Sequence, residues 1–442
     1  MPLIDTIKDY NPDEIVEKEL PLISLFGKNI LLDVRNQLNA NTDEKQLKKS
    51  IFDSTTQRIR ELLRADNFSV LTGAGSSFAV GGVLFSEKEL VDGWVSKLFE
   101  ADDGLKLKSP YISLLGLHKK NNEGQIVGVE DFITFLVKLE YGVKFGTMLK
   151  VDEVDVSENI RKVKNIILRG LGQKCKLPVG DKRSQLSFTK TFIKRILSRP
   201  VNLRRSNLFT TNYDLVFEKA MDELGVIYVD GFIGGLKKYF HPEAFSFDFY
   251  YPAATTEGKV SRLERVLHFY KLHGSLNWKV SKELSYLNAY GIEKTDEELL
   301  PDDNNVLIYP TPMKETDTLG FPYSEVFRRF ANTIQQPQSV LITFGFSFGD
   351  AHINRIIFEA LSIPSFQLLI VSYSWSDNIK KIYELFKDEP SVGFIIGEQF
   401  ASWEVFANQI LPDLPSQDLE EKYQAKREKS TNLIVKIDKE DK

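Results

Sequence analysis

Cysteine is almost absent from this chain: one residue, Cys175, stands among 442. A lone thiol excludes an internal disulfide and any zinc site built from several cysteines. An excess of one charge is missing as well, since 57 Lys and Arg face 62 Asp and Glu for a net charge of −5. No global field therefore draws the protein to nucleic acid, and direct nucleic-acid binding is not evident. No uninterrupted apolar run approaches the roughly 18–20 residues that span a bilayer. The early segment is acidic (Asp5, Asp9, Asp13, Glu14) and has no apolar core of a signal peptide. Internal repeats and low-complexity stretches are missing too. The rest is ordinary for a globular protein, 42% hydrophobic and 27% charged. These absences lead to the expectation of a soluble, cytoplasmic protein with no membrane partner and no metal.

Five short apolar segments ended by small or polar residues read as buried strands: 68–71, 207–210, 267–272, 339–344 and 366–371, with 394–396 as a sixth. Four of the five are followed by helical spacing, the order that implies a parallel sheet with right-handed crossovers. The expected fold is α/β, a Rossmann-like parallel sheet with a large helical insertion. Residues 1–54 read as an N-terminal helical extension, broken by Pro21 and Gly27, with a helix over 42–64 opened by Asn41 or Thr42. Residues 55–415 read as the main domain, and 416–442 as a charged tail. Helix periodicity over 129–141, 160–171 and 186–197 marks 87–200 as the helical insertion. A second insertion over 218–265 is rich in aromatics (Phe232, Tyr239, Phe240, Phe245, Phe247, Phe249, Tyr250, Tyr251), most of them read as packing residues. A proline-bearing loop over 301–322 precedes the fourth strand.

Chemistry concentrates at three strand ends. The first strand stops at Gly73-Ala74-Gly75-Ser76-Ser77, where glycines without a Cβ let backbone N–H groups face an anion. The same residues also suit a plain strand-to-helix turn. The second strand ends in Thr210-Thr211-Asn212-Tyr213-Asp214, at the edge where open α/β sheets bind ligands. These side chains equally suit a helix cap and a dipole partner. The third strand ends in Lys271-Leu272-His273-Gly274, which places an imidazole where a general base is useful near neutral pH. His118, His241, His268 and His352 are read as structural.

The ordered set Gly73-Ala74-Gly75-Ser76-Ser77, Thr211-Asn212-Tyr213-Asp214 and Leu272-His273-Gly274 resembles the sirtuin superfamily. The closest likeness is to the bacterial sirtuin-like branch that cleaves NAD in antiphage defence. Thr343-Phe344-Gly345-Phe346-Ser347-Phe348-Gly349-Asp350-Ala351-His352-Ile353 looks like that branch's second nucleotide-contacting loop, and 129–133 resembles one of its helix starts. The resemblance covers roughly 55–410. It implies that Gly73, Ala74, Gly75 and Ser76 hold the pyrophosphate. Asn212, beside Thr211, sits at the nicotinamide ribose and positions water, Asp214 faces the carboxamide end, and His273 is the base beside Gly274. Gly345 and Ser347 contact the adenosine half, with Asp350 nearby.

Two departures matter. Sirtuin deacylases carry Pro-Asp-Phe-Arg after the glycine loop, where this chain reads Val80-Gly81-Gly82-Val83-Leu84-Phe85. They also carry two CxxC pairs for zinc, which one cysteine cannot supply. The resemblance therefore implies an NAD glycohydrolase that depletes NAD during infection, with NAD as substrate and no zinc. It also implies a homo-oligomer and a separately encoded partner, a HerA-type ATPase or an Argonaute-like protein. Two other readings stand beside it: an NAD or ADP-ribose sensor without turnover, and a protein ADP-ribosyltransferase or deacylase.

Overall fold

A computed structural model describes residues 3–38, 42–77, 186–251, 262–281, 288–295, 305–307 and 320–412. The helices expected over 129–141 and 160–171, Cys175, His118, the 80–85 departure, most of the 301–322 loop and the 416–442 tail lie outside the described residues.

The main sheet has nine strands. It contains β1 (Leu22–Leu25), β2 (Lys28–Asn29), β3 (Asn67–Thr72), β4 (Asn207–Thr210), β5 (Ile227–Val229), β8 (Val266–Lys271), β12 (Ser339–Phe344), β13 (Gln367–Ser372) and β14 (Val392–Ile396). Their order is β2-β1-β14-β13-β12-β3-β4-β8-β5. The seven strands from β14 to β5 pair in parallel, and β1 closes the β14 side antiparallel. Every residue of β3 and β12 is buried, as a strand covered on both faces requires. All six strands read from the sequence are present, displaced by at most two residues.

The segment read as a helical extension also contributes β1 and β2 to this sheet. Its helices are α1 (Leu3–Lys8), α2 (Ile30–Asn36) and α3 (Glu44–Leu62). α3 buries Leu47, Ile51, Thr55, Ile59 and Leu62, one stripe at i, i+4 spacing. Its cap is Asp43, whose carboxylate accepts from Gln46 N at 2.7 Å, in place of the expected Asn41 or Thr42. α4 (Leu186–Leu197) follows the expected periodicity.

A second, five-stranded sheet was not foreseen. It runs β11-β9-β10-β7-β6, from β6 (Phe232–Ile233), β7 (Lys238–Phe240), β9 (Gly274–Val280), β10 (Ile292–Lys294) and β11 (Asn305–Leu307). The aromatic insertion thus supplies strands of both sheets. Phe240 and Phe245 are buried, but Phe247, Phe249, Tyr250 and Tyr251 are exposed, so half of that aromatic set does not pack as expected.

The remaining helices flank the main sheet: α5 (Val216–Leu224), α6 (Tyr323–Ile334), α7 (Ala351–Ala360) and α8 (Asp377–Phe386). Strand order fixes where a ligand fits. The chain leaves β3 outward through β4 to β8, then returns to β12 on the other side of β3. That reversal is the topological switch point, where such sheets open a crevice beyond their carboxyl ends. Pairing of Phe344 with Thr72, Thr72 with Thr210, and Thr210 with Lys271 aligns four strand tips in one row. Among the described residues no helix is long and apolar enough to cross a membrane.

Candidate active site

The glycine loop after β3 is closed against the loop after β12. Gly73 N donates to the Phe344 carbonyl at 3.0 Å and Gly75 N to the Gly345 carbonyl at 3.2 Å. Ser76 N turns back to the Gly73 carbonyl. Three of the four N–H groups expected to cradle a phosphate are therefore committed within the protein, and Ala74 supplies the fourth. The reason for glycine also differs from the expected one. Gly73 has φ −116°, open to any residue. What excludes a side chain is proximity: a Cβ on Gly73 would lie 2.5 Å from the Gly345 carbonyl oxygen. Gly345 itself is left-handed at φ +58°. The two loops form one interlocked unit at the switch point.

Asn212 leaves the tip of β4 and reaches into that unit. Its Nδ2 donates to the Gly73 carbonyl (3.1 Å), Ser76 Oγ (3.2 Å) and Ser77 Oγ (3.1 Å). Ser76 spends its own proton on the Gly73 carbonyl, and Ser77 Oγ reaches both the Ala74 carbonyl and the Asp214 carboxyl. Three acceptors around one nitrogen dictate the amide's orientation. Among the described residues no donor is bonded to Oδ1. Thr211 ties the same tip to β3 through its N–H on the Thr72 carbonyl at 3.0 Å.

His273 lies between β8 and β9, only 3% exposed, with Gly274 at φ +83° behind it. Its ring lies 6.4 Å from Tyr213, 6.4 Å from Phe327 on α6, and 6.0 Å from His352 on α7. His352, read as structural, therefore belongs to the surroundings of the candidate base. Its position in Asp350-Ala351-His352, after the fourth strand, was the available signal. Asp350 is the buried first cap of α7. Ser347 is exposed, and its Oγ accepts from Gly349 N at 3.3 Å. Gly345 faces Gly75, so the β12 loop divides between a glycine at the switch point and a serine at the surface.

Two carboxyls and an ammonium lie beneath these loops. Asp214 stands just ahead of α5, its Oδ1 accepting from Val216 N at 3.1 Å. Burial pushes its carboxyl above the ordinary range, against the opposing pull of Lys271. Lys271 Nζ pairs with Glu218 Oε1 at 2.8 Å, with side chains 3% and 8% exposed. Glu218 is also pushed up by burial, with Lys271 and then Lys294 pulling the other way. Neither Lys271 nor Glu218 was singled out from the sequence. The signal was a lysine closing an otherwise apolar strand.

The four tips thus bring a fixed amide, an imidazole and a buried carboxyl to one end of the sheet. Among the described residues no group of three or more His, Cys, Asp or Glu could hold a metal ion. Against known proteins, no curated protein matches the chain. Residues 206–386, which carry Asn212, Asp214, His273, Gly345, Ser347 and Asp350, match the family model described as a SIR2-like domain, and this supports a sirtuin-like family and a Rossmann-like fold compatible with an NAD-dependent enzyme.

Proposed function

We propose that the chain is an NAD glycohydrolase acting in antiphage defence. The observation that carries this reading is the joining of the Asn212 and His273 loops at the switch point. Leu276 N, three residues past His273, donates to the Tyr213 carbonyl at 3.1 Å, next to Asn212. The bond to be broken joins the positively charged nicotinamide nitrogen to C1′ of its ribose. As it breaks, the electron pair goes to nitrogen and charge develops on the sugar. Water adds to C1′ and gives up one proton, so NAD+ and water become nicotinamide, ADP-ribose and H+.

Each residue has a task in this scheme. Asn212 Oδ1 accepts a hydrogen bond from a ribose hydroxyl or the attacking water. Its amide carries no charge and contributes position. His273, with a neutral imidazole, accepts the proton from water or a ribose hydroxyl, a base contribution of roughly 10²–10⁴-fold. Ala74 N–H faces the pyrophosphate side, and Ser347 with Asp350 the adenosine side. Asp214, whose carboxyl burial pushes above the ordinary range, faces the carboxamide end. Homo-oligomerisation and a separately encoded HerA-type or Argonaute-like partner belong to this proposal through the family likeness alone. They would restrain an activity that otherwise drains NAD.

The test is direct. Purified protein, with its partner where one is required, is incubated with NAD and the products are resolved by chromatography. Wild type releases nicotinamide and ADP-ribose without acetyl-lysine peptide, and Asn212→Ala or His273→Ala abolishes release while the fold survives. Strict dependence on the peptide would revive the deacylase reading, and wild-type turnover in His273→Ala would remove the assigned base.

A further inference from the structure

Lys271 is buried at a position where its charge requires compensation, and four acceptors converge on its ammonium. They are Glu218 Oε1 and Ser275 Oγ, each at 2.8 Å, the Tyr213 carbonyl at 3.2 Å, and the Asp214 carbonyl. These belong to three elements: α5, the start of β9, and the loop that carries Asn212. Tyr213's carbonyl is where they meet, since Leu276 N and Ser275 Oγ reach the same oxygen. Lys271 also stands in register with Thr210, so its side chain spans the gap between the β4 and β8 exits. Removing two charges from water costs several kcal/mol each, and apolar replacements of such pairs are often neutral or stabilising. Stability is thus a weak reason for this pair.

We propose that Lys271 is a positioning residue: its ammonium clamps the Tyr213–Asp214 backbone to Ser275 and thereby fixes Asn212 relative to His273, with Glu218 as the counter-charge. This rests on the glycohydrolase reading for its catalytic consequence, though the clamp itself is a statement about geometry. Lys271 touches no reacting atom. It acts through the two residues that do. An ammonium suits this task because three N–H groups on a slender stem reach diverging acceptors, whereas the planar fork of Arg does not.

The experiment uses the full chain with Lys271→Met and Glu218→Gln combined, so that no orphaned charge is left. The expected double variant folds, melts no lower than wild type, keeps KM for NAD within about threefold and loses about a hundredfold in kcat, the scale of a misplacement near 1 Å. Its crystal structure is expected to show the Tyr213 carbonyl withdrawn from Ser275 Oγ and Leu276 N. Unchanged kcat overturns the proposal, and so does an unmoved Tyr213 carbonyl, whatever the wild type does with NAD. A double variant that fails to fold overturns it as well, because the pair would then be serving stability. A wild type that binds NAD without releasing nicotinamide overturns the glycohydrolase reading alone, and the displacement of Tyr213 still decides the clamp.

Discussion

Gly75 and Gly345 touch backbone to backbone. The Gly75 N–H donates to the Gly345 carbonyl at 3.2 Å, and a Cβ on either would fall 2.7 or 2.6 Å from the other's Cα. Gly75→Ala is expected to cost about 1–3 kcal/mol through overpacking. Gly345→Ala is expected to cost about 1–2 kcal/mol more, because its left-handed backbone disfavours any Cβ. Gly27→Ala serves as the control, with a left-handed φ of +82° and nothing within 4 Å. Urea unfolding of the three variants checks the order, and a Gly75→Ala protein as stable as wild type would show that the loops part at no cost.

Asn212 donates into three oxygens, so swapping its amide for a carboxylate sets lone pairs against lone pairs. Asn212→Asp is expected to be less stable than Asn212→Ala at neutral pH, by about 1–3 kcal/mol, the usual cost of leaving buried polar groups unmatched. Acid narrows the gap, since a protonated Asp regains one donor toward the Gly73 carbonyl. Melting curves at pH 7 and pH 4 test this, and a gap independent of pH would contradict the orientation assigned to the amide.

For Lys271 and Glu218, losing one partner is expected to be worse than losing both. Glu218→Ala leaves the ammonium uncompensated, at a cost of about 3–5 kcal/mol. A double-mutant cycle with Lys271→Met, read by denaturant unfolding, should show strong coupling. Additive losses would mean that the two groups fold independently.

Asp248 and Asp214 should give stability profiles of opposite slope with pH. Burial works to raise Asp248, but the guanidiniums of Arg205 (2.9 Å) and Arg262 (2.6 Å) overcome it and hold the carboxyl below its ordinary 3.8. Its contribution is present above 3.8 and fades as pH falls through the lower folded value. Asp214 is shifted the other way, mainly by burial, so its contribution is present below 3.8 and is lost as pH rises through the raised folded value. Asp248→Asn should therefore destabilise at pH 7 and much less at pH 3. Asp214→Asn should gain on wild type as pH rises. Unfolding free energies measured between pH 3 and 8 would refute either assignment by showing no change of slope.

The parallel strands were legible because each is a compact apolar run closed by small polar residues. Length hid the second sheet: β6 has two residues, β7, β10 and β11 have three, and none shows a period. β1 was concealed between Pro21 and Gly27, which read as helix breaks rather than strand limits. Asn212 and His273 could be placed at strand ends, since that placement follows from local sequence. The contact of Gly75 with Gly345 could not, because it joins loops 270 positions apart across the switch point. Glu218 only opened the aromatic insertion in the sequence, and the lysine that folds beneath it shows why that carboxylate is buried.

β1 lies antiparallel along β14, from Leu22 opposite Ile396 to Leu25 opposite Gly393, and Trp375 Nε1 fastens the approach by donating to the Leu20 carbonyl at 2.9 Å. A shortened expression product starting past residue 38 would bare that flank as a row of vacant amides and carbonyls, a ready template for another copy. Filaments or dimers formed by such a truncation would report the stripped border and say nothing about native assembly.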